Sequence, residues 1–187
     1  MIKVRYPVIL ASSSPRRKEL LSKIVPIFRT VSAKIDETPF QDEEPHALAQ
    51  RLAKEKTLFV FESHPDSLVI GADTIVVVPQ DTANSILNKP STPEEATCML
   101  QKLSNSEHLV ITGVVLRWPK GFEAFTETSY VTYRPIDSQE IEDYVATGQA
   151  FDKAGGYNIK FIETIKGTLE NLLGLPLERL MESLRQI

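Results

Sequence analysis

The apolar run at residues 68–78 constrains the fold most, because it is the strongest strand signal in the chain. It is apolar on both sides of a single carboxylate, Asp73. An isolated buried carboxylate is costly, so Asp73 needs a metal ion, a cationic partner or several hydrogen-bond donors. Gly71 leaves room for something to approach the backbone beside it. The alternative is a structural aspartate that accepts hydrogen bonds from backbone amides at a kink in the strand.

Strand and helix patterns alternate along the whole chain, which is typical of an α/β protein. Strands are predicted at residues 6–10, 28–32, 68–78, 109–117, 122–133 and 161–165. Helices are predicted at residues 15–24, 45–61, 92–103, 137–148 and 177–184, and polar loops at residues 36–45 and 81–85. We therefore expect a mixed, twisted sheet with flanking helices and two lobes around a central cleft. The segments that contain Arg16, Lys56, Asp73 and Lys89 should converge on that cleft.

Length and composition exclude several classes of protein. The 187 residues suit one domain, and we expect a single domain over residues 1–187. With 42% hydrophobic and 25% charged residues the composition is that of an ordinary soluble protein, and no apolar stretch is long enough to span a membrane. The net charge of −4 and the lack of a strongly basic stretch argue against binding to nucleic acid polymers. A single cysteine, Cys98, rules out an internal disulfide, which fits a cytoplasmic protein.

The segment at residues 12–17 breaks a local rule of helix formation. Ser14 is a suitable N-cap and Pro15 a suitable first helical residue, so a helix should begin here. Arg16 and Arg17 then fall in its first turn, where the partial positive charge of the helix makes cations unfavourable. A bound anion would reverse the effect, since backbone N–H groups, serine hydroxyls and two guanidinium groups could all bind it. The alternative is a plain serine loop with solvated arginines.

Three basic residues and one pair of glycines are candidates for a site. Arg17 shares a helical face with apolar residues, so its side chain should lean towards the protein body. Lys56 falls on the apolar stripe of its helix, and the alternative is that it snorkels to solvent. Lys89 follows the Asp73 strand across a turn and is by itself typical of a surface lysine. The pair Gly155–Gly156 permits close backbone approach to a ligand, or forms a plain turn.

The segments that carry a family resemblance are residues 10–21 (LASSSPRRKELL), 36–39 (DETP), 52–56 (LAKEK), 71–74 (GADT), 88–90 (NKP), 112–114 (TGV), 152–157 (DKAGGY) and 174–176 (GLP). Together, and in this order, they resemble the motifs of the Maf family of nucleoside triphosphate pyrophosphatases, relatives of the inosine triphosphatase superfamily. The resemblance covers nearly the whole chain.

The resemblance implies a reaction and a set of site residues. Members of the family hydrolyse a nucleoside triphosphate between the α and β phosphates and release the monophosphate and pyrophosphate. They use a divalent metal cation, usually Mg²⁺ or Mn²⁺. By this resemblance Asp73 is the general base, and Glu37 and Asp73 bind the metal. The substrate-binding residues that it implies are Ser12, Arg16, Arg17, Lys56, Thr74, Lys89 and Lys153.

Arg16 and Thr74 resemble the branch of the family that prefers dTTP and UTP. Modified nucleotides are the other substrates implied, in a house-cleaning role. The chain departs from the family pattern at three places. Asn88 replaces a glycine, Gln149 replaces a glutamate, and Asn-Ile-Lys at residues 158–160 stands where the family has Gly-Ile-Gln-Gly.

The resemblance leaves one alternative function open. A chain altered at residues 149–160 could be a catalytically weak nucleotide-binding protein that acts in cell division, because the family has been linked with septum formation. The sequence is also compatible with a homodimer. Two other nucleotide-binding classes are excluded, since the chain has neither Gly-x-Gly-x-x-Gly after its first strand nor Gly-x-x-x-x-Gly-Lys.

Overall fold

The strands pair in one mixed sheet in the computed structural model, which describes residues 2–79 and 86–187. They are β1 (Val8–Leu10), β2 (Arg29–Thr30), β3 (Leu68–Val77), β4 (Ile86–Leu87), β5 (Glu107–Trp118), β6 (Gly121–Tyr133) and β7 (Ile162–Lys166). The order in the sheet is β2-β1-β3-β5-β6-β7, and β4 pairs with β3. Strand β1 is parallel to β2 and β3, whereas β4 is antiparallel to β3 and β7 is antiparallel to β6.

Three of the described helices, α1, α3 and α4, begin directly after the capping residues that the sequence predicts. They are α1 (Pro15–Ser22), α2 (Pro45–Glu62), α3 (Pro93–Leu103), α4 (Ser138–Ala146), α5 (Leu169–Leu172) and α6 (Leu177–Leu184). Ser14, Thr92 and Asp137 each cap a helix by accepting a hydrogen bond from a backbone N–H three residues later. Among the helices of residues 2–79 and 86–187, none is both long enough and apolar enough to cross a membrane.

The α/β class and the mixed sheet with flanking helices are therefore confirmed. The elements that the sequence does not predict, β4, α5 and two short 3-10 turns, are too short to show a periodic pattern. The predicted helix at residues 15–24 ends at Ser22, and the predicted strand at residues 28–32 is confined to Arg29–Thr30. The predicted polar loop at residues 81–85 lies outside the described residues.

The first of two compact units comprises Met1–Thr74, Thr112–Glu127 and Leu169–Ile187. Its central strands β1 and β3 are buried on both faces, as the apolar run in β3 predicts. On one face Leu10 and Ile70 pack in a cluster with residues of α1 and α6. On the other face Ile9 and Val69 pack against Val60 of α2.

The second unit comprises Ile75–Ile111 and Thr128–Thr168. Its interior contains a cluster of buried rings. The ring of His108 lies 4.8 Å from that of Tyr133 and 5.5 Å from that of Tyr157. Phe161 packs edge-on against the same Tyr133 at 5.9 Å. Burial lowers the pKa of His108 from 6.5 to about 4, because a charged imidazolium is poorly solvated there.

Candidate active site

Hydrogen bonds of two serine side chains stabilise the turn before α1. The Ser12 hydroxyl oxygen accepts a hydrogen bond from the Ser14 backbone N–H at 3.1 Å. The Ser14 hydroxyl oxygen in turn accepts one from the Arg17 backbone N–H at 3.4 Å. No acidic side chain occupies the first turn of this helix. The N-terminus of α1 therefore keeps its partial positive charge for an anion from outside the helix.

The side chain of Arg17 leans into the first unit, as its helical position predicts. Its Nε donates to the Gly174 carbonyl oxygen at 2.8 Å, and its Nη2 donates to the Thr74 hydroxyl at 2.9 Å. Burial lowers the pKa of the Arg17 guanidinium, the negative charge of Asp73 raises it, and the neighbouring positive charge of Arg16 lowers it. The first turn of α1 and the carboxylate of Asp73 thus lie within electrostatic reach of each other.

Asp73 has the cationic partner that its burial requires. The Lys56 ammonium lies 2.5 Å from the Asp73 carboxylate and 2.7 Å from the Glu37 carboxylate. Lys56 and Asp73 are 9% and 8% exposed, so both charges are largely shielded from bulk water. Asp73 therefore has a cation as partner, and the alternative of a Lys56 side chain that snorkels to solvent is wrong.

Two glycines bring α2 close enough to the sheet for this contact. A Cβ atom on Gly71 in β3 would lie 2.2 Å from the Thr57 hydroxyl oxygen. A Cβ atom on Gly113 in β5 would lie 2.3 Å from the Ala49 carbonyl oxygen. The room that the sequence predicts beside Gly71 is thus filled by α2 itself.

A chain of hydrogen bonds connects Arg17 to the carboxyl-terminal segment. The hydroxyls of Thr74 and Thr112 lie 2.9 Å apart, and the Thr112 hydroxyl donates to the Asn171 carbonyl oxygen at 3.0 Å. Because Thr112 donates there, Thr74 donates to Thr112 while accepting from Arg17. Sequence reasoning assigned no role to Thr112 or Gly174, although both lie in segments that carry the family resemblance.

The remaining predicted site residues lie in the second unit. Lys89 is exposed, whereas Lys153 is partly buried. The Lys153 ammonium contacts the Gln149 carbonyl oxygen, and it pairs with the Asp152 carboxylate at 2.6 Å. Ser12, Arg16, Arg17, Glu37, Lys56, Asp73 and Thr74 all belong to the first unit.

The paired glycines of the second unit have a backbone role. Gly155 and Gly156 have φ angles of 66° and 64°, a region that favours glycine. The Gly155 N–H donates to the Asn88 carbonyl oxygen at 2.9 Å. The segment with Lys153 and the segment with Lys89 are thereby joined through the main chain.

Residues 158–160, which depart from the family pattern, form a tight turn directly after Tyr157. The Asn158 backbone N–H donates to the Tyr133 hydroxyl at 2.9 Å, and a 3-10 turn follows at Ile159–Phe161. Phe161 then packs among the buried rings. This segment is thus held to the second unit by aromatic packing.

The residues present fit a divalent cation that arrives with a phosphate ligand. Within residues 2–79 and 86–187 no group of three or more His, Cys, Asp or Glu side chains could hold a metal by itself. Two carboxylates, those of Glu37 and Asp73, nevertheless converge on one cation, the Lys56 ammonium. Mg²⁺ is commonly bound by one or two carboxylates together with phosphate oxygens and water, which is the set that this pair could complete.

Comparison with known proteins shows the family to which the chain belongs. The family model described as "Maf-like protein" matches residues 7–187. A dTTP/UTP pyrophosphatase of a Geobacillus species is 43% identical over 185 residues, which cover 96% of this chain and 97% of that protein. A dTTP/UTP pyrophosphatase of Halalkalibacterium halodurans is 42% identical over 184 residues, covering 96% and 95% of the two chains. The solved structure of the Staphylococcus aureus Ham1 protein aligns with a TM-score of 0.46 at 14% identity, over 68% of this chain and 71% of that one.

Proposed function

Because this chain belongs to the Maf-like protein family, it is a nucleoside triphosphate pyrophosphatase, and we propose that dTTP and UTP are its substrates. The products are the nucleoside monophosphate and pyrophosphate. One observation supports the proposed site above all: Asp73, which forms the buried pair with Lys56, directly precedes Thr74, whose hydroxyl accepts a hydrogen bond from Arg17 of α1. A carboxylate and an anion-binding helix end are therefore linked through adjacent residues of one strand, and the negative charge of Asp73 acts on the Arg17 guanidinium.

Binding of the triphosphate is assigned to the amino-terminal end of α1. Backbone N–H groups, the Ser12 hydroxyl and the guanidinium groups of Arg16 and Arg17 supply hydrogen bonds and positive charge to the phosphate oxygens. The Arg17 guanidinium is fixed before substrate arrives, since it is held by Gly174 and Thr74. Fixed donors of this kind stabilise the charge that develops on the leaving pyrophosphate.

Asp73 is assigned as the general base. Its carboxylate takes a proton from a water molecule whose oxygen attacks the α phosphorus, and the bond from that phosphorus to the bridging oxygen breaks. Pyrophosphate leaves with the bridging oxygen. Lys56 holds the carboxylate in one orientation through the 2.5 Å contact.

Glu37 and Asp73 are assigned as the residues that hold a divalent cation, Mg²⁺ or Mn²⁺. When bound, such a cation offsets the negative charge of the phosphates. Lys56 keeps the two carboxylates together, because its ammonium contacts both. The assignment of Lys89 and Lys153 to phosphate binding rests on the family resemblance.

The activity is tested by pyrophosphate release from a broad panel of nucleotides with Mg²⁺ or Mn²⁺. We expect kcat/KM to be highest for dTTP and UTP. If the protein released pyrophosphate from no nucleotide in the panel, the proposed enzymatic activity would be refuted. Measurable nucleotide affinity without turnover would support the alternative of a nucleotide-binding protein.

The role of Asp73 is tested by the variant Asp73→Asn, which keeps the shape of the side chain and removes the base. We expect kcat to fall on the order of 100-fold or more, the usual loss for a general base. Asp66→Asn is the matched control, because Asp66 is an exposed carboxylate in the same unit. Equal activity of the two variants would contradict the assignment.

A further inference from the structure

Arg51 of α2 makes an unusual number of contacts with the acidic loop, which we define as residues 36–43. Its Nη2 donates to the Thr38 carbonyl oxygen at 3.1 Å. Its Nε and Nη2 donate to the two carboxylate oxygens of Glu43 at 2.6 and 2.8 Å. Its Nη1 donates to Glu55, one turn further along α2, at 3.1 Å. The guanidinium is thus fixed from its own helix and holds the loop through a two-pronged bond.

The aromatic ring of Phe40 reinforces the contact between Arg51 and the acidic loop. The Arg51 guanidinium lies 4.0 Å above the centre of the Phe40 ring, although Phe40 is 63% exposed. The Phe40 backbone N–H also donates to the Glu43 carboxylate at 3.0 Å. Stacking of a planar guanidinium on an exposed ring adds a geometric restraint that a point charge does not supply.

The position of these contacts matters because of Glu37. Thr38 follows Glu37 directly, and the Asp36 carboxylate accepts from the Thr38 backbone N–H at 2.9 Å and from its hydroxyl at 2.6 Å. The Glu37 side chain is itself 49% exposed and contacts the Lys56 ammonium at 2.7 Å. A single ion pair of such a half-exposed carboxylate holds a loop weakly.

The acidic loop is therefore held to α2 at two points. Lys56 binds the Glu37 side chain, and Arg51 binds the main chain at Thr38 and the carboxylate of Glu43. Both cations lie on one rigid helix, so they set the distance between the loop and the site.

From this geometry we propose that Arg51 is a positioning residue for the pyrophosphatase reaction: it fixes the acidic loop so that the Glu37 carboxylate meets Lys56 and Asp73. This inference rests on the proposed function, in which Glu37 belongs to the site. Arg51 acts through Glu37 and does not touch the reacting atoms. Misplacing a site group by about 1 Å can lower a rate on the order of 100-fold, which is why a second anchor of the loop matters.

The test compares Arg51→Met with Arg117→Met. Arg117 is a matched control, because its guanidinium also stacks on a ring, that of Phe61 at 4.5 Å, and also donates to backbone carbonyl oxygens, those of Trp118 and Gly121 on either side of the β5–β6 turn, at 2.5 and 2.8 Å. We expect amide hydrogen exchange at residues 36–43 to become about tenfold faster or more in Arg51→Met, and to stay unchanged in Arg117→Met. Glu43→Gln, which weakens the same bond from the other side, should give the same result.

Measurements of kcat then distinguish a positioning role of Arg51 from a role in stabilising the fold alone. We expect Arg51→Met to lower kcat for dTTP about tenfold or more, with the melting temperature and the exchange of the rest of the unit little changed. In the background of Glu37→Gln, adding Arg51→Met should cost no further kcat, because the two residues act as one unit. A residue that only stabilises the fold would give losses that add.

Unchanged exchange of the acidic loop in Arg51→Met, or a loss of kcat that adds to that of Glu37→Gln, would overturn the inference. A wild-type protein that releases pyrophosphate from no nucleotide would overturn the proposed function and, with it, the catalytic part of the role of Arg51. The exchange measurement would still decide whether Arg51 fixes the loop.

Discussion

At the scale of single residues, the site is built from charges that local structure disfavours. A lysine on the buried stripe of a helix and an aspartate in a buried strand are each unfavourable alone. Here the Lys56 ammonium and the Asp73 carboxylate lie 2.5 Å apart, so each charge compensates the other. The buried Arg17 guanidinium is satisfied in a similar way, because the Gly174 carbonyl oxygen and the Thr74 hydroxyl oxygen accept hydrogen bonds from it.

The mutual dependence of Lys56 and Asp73 leads to a prediction for Lys56→Met. This change leaves a buried carboxylate without its cation, so the free energy of unfolding should fall by about 3 kcal/mol. The rate of pyrophosphate release should fall as well. Chemical denaturation measures the first effect and the nucleotide assay the second.

Two further variants make this prediction specific. Lys56→Met combined with Asp73→Asn should regain most of the lost stability, because no unpaired charge remains, but it should not regain activity. Lys54→Met is the control on the exposed face of α2 and should change stability by no more than about 0.5 kcal/mol. If Lys56→Met is as stable as Lys54→Met, the pair is not the stabilising contact that we describe.

At the scale of elements, α2 organises the first unit. It carries Lys56 and Arg51, and it lies against β3 and β5 where Gly71 and Gly113 allow its backbone to approach. Strand β3 contributes Asp73, which pairs with Lys56, and the adjacent Thr74, which Arg17 of α1 contacts. The site therefore depends on how closely one helix packs on two strands.

Gly113→Ala tests this packing. The added Cβ would lie 2.3 Å from the Ala49 carbonyl oxygen and 2.8 Å from the Gln50 backbone nitrogen, and neither atom can yield unless α2 moves. We expect the free energy of unfolding to fall by about 2 kcal/mol or more. We also expect kcat to fall, because Lys56 moves with the helix.

Gly148→Ala is the control for the loss of a glycine as such. Its φ angle is 74°, but no atom lies within 4 Å of the added Cβ. Backbone strain alone should lower the free energy of unfolding by about 1 kcal/mol and leave kcat unchanged. Similar losses of activity in the two variants would contradict the role of helix packing.

At the scale of the whole molecule, the buried His108 makes stability depend on pH. In the folded chain its pKa is about 4, below the ordinary value of 6.5, so the unfolded chain binds the proton first as the pH falls. Stability from this residue is therefore complete above about pH 6.5 and is lost as the pH falls towards 4. The loss between pH 7 and pH 5 should be about 2 kcal/mol.

Denaturation of wild-type protein and of His108→Gln at the two pH values measures this loss. The variant should be less stable at pH 7, and the difference between the two pH values should shrink by about 2 kcal/mol, because the neutral amide does not titrate. His46→Gln, which removes an exposed histidine, is the control for the loss of a histidine as such. The same pH dependence in His108→Gln would show that other groups cause it.

Much of the fold follows from the sequence because secondary structure depends on short-range patterns. The limits of β3, α2 and α3 differ from the predicted limits by a residue or two, since their apolar periods and caps lie within the elements themselves. Short elements such as β4 and α5 have no such period, and only tertiary contacts form them.

The sequence by itself determined which residues need a partner, because burial of a charge is evident from its apolar neighbours. Asp73, Lys56 and Arg17 were recognised in this way. Only the tertiary structure decided which partners they have. Arg17 and Gly174 are 157 positions apart, and no local pattern encodes a contact between them. No local pattern encodes the contacts of Arg51 either. From the sequence it is an ordinary helical arginine, and only the folded acidic loop supplies its partners. Partners of this kind are chosen by the packing of distant segments, and that packing is a property of the whole chain.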